Sequence, residues 1–130
     1  MAPGKAAFVR SIYRALAAGD TATLLAAFHA DAAVKQPEVD AEGYRGESGI
    51  VAWAKRWRDA LQGLQLETQS FVEAEDHVVV LSRFLAREGR DRQAAEARFA
   101  HVWTVRDGKV QEVRIYVDWK RAMRSAGLQG

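Results

Sequence analysis

The sequence has no cysteine. Disulfides, thiolate metal sites and cysteine nucleophiles are therefore excluded, and a cysteine-free chain is compatible with a reducing cytoplasm. Long apolar runs are missing too. The longest are a few residues, as at Val78-Val79-Val80-Leu81, against the roughly 20 that a membrane helix needs. No apolar stretch of signal-peptide length precedes the first charges, so the expected location is cytoplasmic, without membrane contact. There is no long basic block, and the formal charge is only +2 despite a pI near 9.1. So small a surplus does not drive binding to a phosphate backbone, and no nucleic-acid partner is expected. Internal repeats and low-complexity linkers are absent. What is present, 130 residues at 48% hydrophobic and 28% charged, suits one domain spanning 1–130 with a buried core.

The first half reads as helices. Phe8, Ile12 and Leu16 recur at helical spacing. Gly19 stops that helix and Asp20 caps the next, whose apolar face is Leu24, Leu25 and Phe28. Ala32 to Gln36 reads as a short strand ended by Pro37, which cannot donate to a ladder. A polar loop, Glu38 to Gly46, precedes a third helix from near Glu47 with Ile50, Trp53, Ala54, Trp57 and Leu61 as its buried stripe and Lys55, Arg56, Arg58 and Asp59 toward water. Gly63 closes it. The period then changes to that of strands: Leu64 to Glu75, with a slip near Gln69 to Phe71 that a bulge explains; His77 to Glu88; a turn at Gly89 to Arg92; Gln93 to Arg106; and, after the hairpin signal Asp107-Gly108, Lys109 to Val117. Asp118 caps a last helix, Trp119 to Ser125. The order implies an α+β fold, a cone-shaped α+β barrel with three N-terminal helices on a curved antiparallel sheet and a short C-terminal helix. The open end of such a cone is a natural ligand pocket.

Alternation assigns the faces. Phe99, His101, Trp103 and Val105 form the bulkier set of their strand and point toward the helices, as do Val113, Ile115 and Val117 of the next. In the valine-rich strand, Leu81, Arg83 and Leu85 alternate with Ser82, Phe84 and Ala86, and both sets are mixed. The outer face carries Phe84, Ala100, Val102 and Tyr116, and an apolar face of this kind predicts a homodimer through it.

Several segments resemble the SnoaL-like branch of the nuclear-transport-factor-2-like superfamily: Ala17-Ala18-Gly19-Asp20, Phe28-His29-Ala30-Asp31-Ala32, Tyr44-Arg45-Gly46, His101 through Val110, and Arg114-Ile115-Tyr116-Val117-Asp118. They run in order along almost the whole chain. The resemblance implies the cone fold and a cofactor-free activity of isomerase, polyketide-cyclase or hydrolase type. Ketosteroid isomerases carry a general-base carboxylate where this chain has Gln36. Their oxyanion hole uses a helix tyrosine, matched by Tyr13 with Ile12 as the alternative, and a strand aspartate, matched by His101. Polyketide cyclases of this branch carry a histidine at that strand position and an aspartate where Ile115 stands. Limonene epoxide hydrolases use an arginine, matched by Arg83, and two aspartates, where Leu85 and Ile115 stand. No acid of the three sets is present, and the alternative to an enzyme is a non-catalytic ligand-binding or dimerisation module of the same fold.

His101 is the candidate catalytic residue, able to polarise an oxygen or move a proton. The alternative is a core histidine bonded to a tyrosine or to backbone. Tyr13 and Gln36 are candidate orienting groups. Trp53, Trp57 and Trp103 would line a pocket for a flat apolar ligand, or simply pack. Arg83 binds an anionic substrate group if it points inward and is a surface or interface residue otherwise. Among Glu38, Asp40 and Glu42, one acid could supply the missing base. His29 and His77 are read as surface residues, and three scattered histidines make no metal site. The expected partner is a small, largely apolar carbonyl compound, with no cofactor and no metal.

Overall fold

A computed structural model describes residues 4–38, 43–86 and 97–128. Helix α1 (Lys5–Ala18) buries Val9, Ile12, Tyr13 and Leu16 and ends at Gly19, whose left-handed φ of 71° suits a residue without Cβ. The Asp20 side chain accepts the Thr23 N–H and caps α2 (Thr21–Ala26). Strand β1 (Phe28–Lys35) follows. It begins four residues before Ala32 because Phe28 pairs with Val110 and the Val110 N–H reaches Ala27 O. One buried phenylalanine serves a helix face or a strand face equally well, so periodicity alone could not place it. Tyr44–Arg45 form the short β2, too short to show any period, and α3 (Gly46–Gly63) buries Ile50, Trp53, Ala54 and Trp57.

Four long strands complete a six-stranded sheet: β3 (Leu64–Ala74), β4 (His77–Ala86), β5 (Ala97–Arg106) and β6 (Lys109–Tyr116), in the order β2-β1-β6-β5-β4-β3. All pairs are antiparallel except β1 with β6, which run parallel. The β3–β4 register slips between Thr68 and Ser70, which is the bulge expected near Gln69. Asp107 and Gly108 both take positive φ, 53° and 76°, as a tight hairpin of type I′ requires. The turn expected at Gly89 to Arg92, like Asp40 and Glu42, lies outside the described residues.

The main core lies between the concave sheet face and α1–α3, and includes Trp103 with no exposed surface. A second cluster lies on the opposite face. There α4 (Trp119–Ser125), capped by Asp118 through the Lys120 N–H, places Ala122 and Ala126 against Val79, Ala100, Val102 and Tyr116. The apolar outer-face residues that suggested a second copy are thus covered within the chain. Phe84, assigned to that face, points the other way and stacks on Phe99 at 4.7 Å between ring centres. Ser82 pairs with Phe99 across β4–β5, and side chains two apart on a strand share a face.

Candidate functional site

A cavity of about 370 Å³ opens between α3 and the concave sheet face. Its walls are aromatic. Trp53 and Trp57, one helical turn apart on α3, face Phe84, Phe99 and His101 from the strands. Ile115, opposite His101 in the β5–β6 register, closes one side. The more exposed lining residues Gln36, Arg56, Arg98 and Val117 mark the mouth. Val117 is 68% exposed although the cavity is apolar.

His101 is 1% exposed and is the ring around which the others gather. Trp57 lies 5.2 Å away and Phe99 4.9 Å, centre to centre. Behind it runs a chain of buried hydrogen bonds. Trp103 Nε1 donates to the Tyr13 hydroxyl oxygen at 3.0 Å, and that hydroxyl meets His101 Nδ1 at 2.6 Å. A hydroxyl has one proton. The Tyr13 oxygen already accepts from Trp103, and among the described residues the only acceptor facing its proton is Nδ1. Tyr13 therefore donates to Nδ1, and the neutral imidazole carries its proton on Nε2, the nitrogen left toward the cavity. Burial reinforces this state by pushing the His101 pKa down to about 3. It also pushes the Tyr13 hydroxyl above the usual phenol range, against the opposing pull of the Trp103 bond. His101 is consequently a neutral hydrogen-bond donor at physiological pH.

A second donor is close by. The buried Trp57 Nε1–H has no partner among the described residues, and Trp57 lines the same cavity. An unpaired buried N–H costs roughly 1–3 kcal/mol, so this one, beside His101 at the same cavity, is a polar feature that packing alone does not explain.

The structure brings together His101, Trp53, Trp57 and Gln36 of the expected site residues. Three others lie elsewhere. Tyr13 and Trp103 stand behind His101 and do not reach the cavity; they hold the imidazole. Arg83 is on the outer face, opposite Arg98 in β5 and Glu67 in β3, and its guanidinium pairs with the Glu67 carboxylate at 2.7 Å. It is thus not a substrate residue of this cavity. Alternation could not decide this, because both faces of β4 are mixed. Glu38 accepts the Val117 and Asp118 N–H groups and meets Arg121, so it pins the start of α4 and is not turned to the cavity as a base. His29 and His77 are half-buried and bond Arg106 O and Thr104 Oγ1. Among the described residues, no cluster of three or more metal-binding side chains occurs, and no helix is long and apolar enough to cross a membrane. Tyr44, Arg56 and Arg98 were missed as lining residues. For Arg56 the signal was available, since it lies three residues after Trp53 and one before Trp57.

A curved six-stranded sheet wrapped on three helices, with an aromatic cavity at its open end, defines the nuclear-transport-factor-2-like cone. The chain belongs to the SnoaL-like domain family, whose description matches residues 9–113. Solved structures agree on the fold. TerC, co-crystallised with polyporic acid, is 25% identical with a TM-score of 0.66, covering 85% of this chain and 88% of its own. A polyketide-cyclase candidate from Sinorhizobium meliloti is 20% identical with a TM-score of 0.62, covering 83% and 92%. A ketosteroid-isomerase candidate from Kribbella flavida is 14% identical with a TM-score of 0.66, covering 84% and 73%. No curated protein matches the chain in sequence.

Proposed function

We infer that this protein binds a small, flat, largely apolar compound through a carbonyl or enolic oxygen, seated against the N–H groups of His101 and Trp57. The observation that carries this reading is the buried Trp57 Nε1–H, without a partner among the described residues, beside the protonated Nε2 of His101 at one aromatic cavity. Aromatic walls take the body of the ligand by stacking and edge contacts. Two neutral donors polarise an oxygen without a buried charge, in the manner of an oxyanion hole. The cavity lining contains no carboxylate among the described residues, and His101 Nε2 already carries a proton. These residues therefore support binding and polarisation of the oxygen rather than removal of a proton from carbon. The relative co-crystallised with polyporic acid makes that compound a natural first ligand to try here.

The test is calorimetric titration with polyporic acid and with 2-acetylnaphthalene, in the wild type and in Trp57→Phe. The variant removes the N–H and keeps a ring. Since that N–H is unpaired in the protein alone, thermal stability is expected to change by less than about 1 kcal/mol, while affinity for an oxygen-bearing ligand falls about tenfold. Unchanged affinity in Trp57→Phe, or no binding of either compound by the wild type, would remove the reading.

A further inference from the structure

The cavity described above has a neutral interior and a guanidinium, that of Arg56, held at its mouth. Arg56 and Arg98 both line it, and no aspartate or glutamate does among the described residues. Several basic residues elsewhere on this protein have acidic partners. Arg83 faces Glu67, Arg114 faces Glu112, and Arg121 faces Glu38. On α3 itself, Lys55 and Arg58 share their surface groove with Asp59. Arg56 differs. Its contact among the described residues is with a neutral group: Nη1 donates to the Tyr44 hydroxyl at 2.7 Å. A guanidinium has five N–H donors in a planar fork that fits a carboxylate, and Tyr44 occupies one of them.

The Tyr44 contact also holds that fork in place. Tyr44 is fixed at the sheet edge by pairing with Val34. The first turn of α3 closes directly over it, because a Cβ on Gly49 would lie only 3.1 Å from the Tyr44 carbonyl carbon. The guanidinium is therefore presented at the mouth by a braced aromatic residue, on the same helix that supplies Trp53 and Trp57 to the interior. Arg98 also lines the mouth, but its guanidinium lies toward the outer face, 5.2 Å above the Trp119 ring.

We propose that the ligand of this cavity is an anion: a flat aromatic body with a carbonyl-type oxygen at the His101–Trp57 end and a carboxylate, or a comparably ionised oxygen, at Arg56. This rests on the reading of the cavity as a carbonyl-binding site and adds the charge and polarity of its occupant. The interior selects a neutral oxygen because burial keeps His101 uncharged. The mouth selects the negative end because a charge-assisted bond to guanidinium exceeds a neutral one.

Two compounds of one shape isolate the charge: 6-acetyl-2-naphthoate and its methyl ester, titrated calorimetrically at low and at 0.5 M salt. The wild type is expected to bind the acid about tenfold tighter than the ester, with the preference shrinking in high salt. In Arg56→Gln the preference collapses while ester affinity stays, and an unchanged far-UV circular dichroism spectrum and thermal midpoint show that the exposed substitution leaves the fold intact. Equal binding of acid and ester by the wild type, or a preference that persists in Arg56→Gln, overturns the proposal. If both compounds then still weaken in Trp57→Phe, the carbonyl-binding reading stands without it. If the wild type binds neither, both readings fall.

Discussion

Acidification is expected to cost this protein stability chiefly through one side chain, His101. Its folded pKa is held near 3 by burial, whereas an unfolded histidine titrates near 6.5. Above about pH 6.5 the imidazole is neutral in both states and its contribution is fully present. Between about 6.5 and 3 the unfolded chain takes up a proton that the folded chain refuses, so stability falls as pH falls, by about 1.4 kcal/mol per pH unit for this one group. Over that window the loss is of order 4 kcal/mol, a large part of a small domain's stability. His77 adds in the same direction, since desolvation, and then the nearby Arg114, lower its pKa. Urea midpoints between pH 7.5 and 4.5 in the wild type and in His101→Gln separate the two. The variant's profile is expected to be flatter, and parallel profiles would discard the assignment. Nitrogen NMR of the wild-type ring supplies an independent check, with Nε2 protonated and no titration down to pH 4.5.

The second large effect is expected in Tyr13→Phe. The ring survives, but Trp103 Nε1–H and His101 Nδ1 lose their shared partner in a region where Trp103 is 0% and His101 1% exposed. Two orphaned buried groups cost roughly 2–4 kcal/mol together. Nothing then holds the proton on Nε2, so the imidazole should populate both neutral tautomers, and ligand affinity should drop with the fraction that no longer donates into the cavity. Denaturant unfolding measures the first effect and nitrogen chemical shifts the second. A stability loss below about 1 kcal/mol with an unaltered tautomer would show that the Trp103–Tyr13–His101 chain does not set the state of the ring.

The same chain shows where reading residues in order succeeds and where it stops. His101 was legible both as a pocket residue and as a core histidine bonded to a tyrosine, and the two are one arrangement: one nitrogen is anchored to Tyr13 and the other turns toward the cavity. Alternation placed Phe99, His101 and Trp103 on one face, yet it gave no depth along that face. The expectation therefore grouped Trp103 and Tyr13 with the ligand, when both lie behind the imidazole. Arg83 shows the opposite failure. Its strand has an apolar residue and a polar residue on each face, so no pattern separates inside from outside, and only pairing with Glu67 and Arg98 settles it. The outer face makes a third point, because a strand's pattern does not say what will cover it, and here α4 covers Val79, Ala100, Val102 and Tyr116.

The order of elements, the bulge near Gln69, the Asp107-Gly108 hairpin and the inward set on β5 were determined by the sequence itself, since period, turn chemistry and capping act between residues close along the chain. The parallel β1–β6 pair, the depth of each ring in the cone, the anchoring of His101 by residues 88 and 2 positions away, and the gathering of Arg56 and Arg98 at one mouth were decided only by tertiary structure. Each depends on how far the sheet curves and where distant segments meet, and neither quantity is written in the spacing of neighbours.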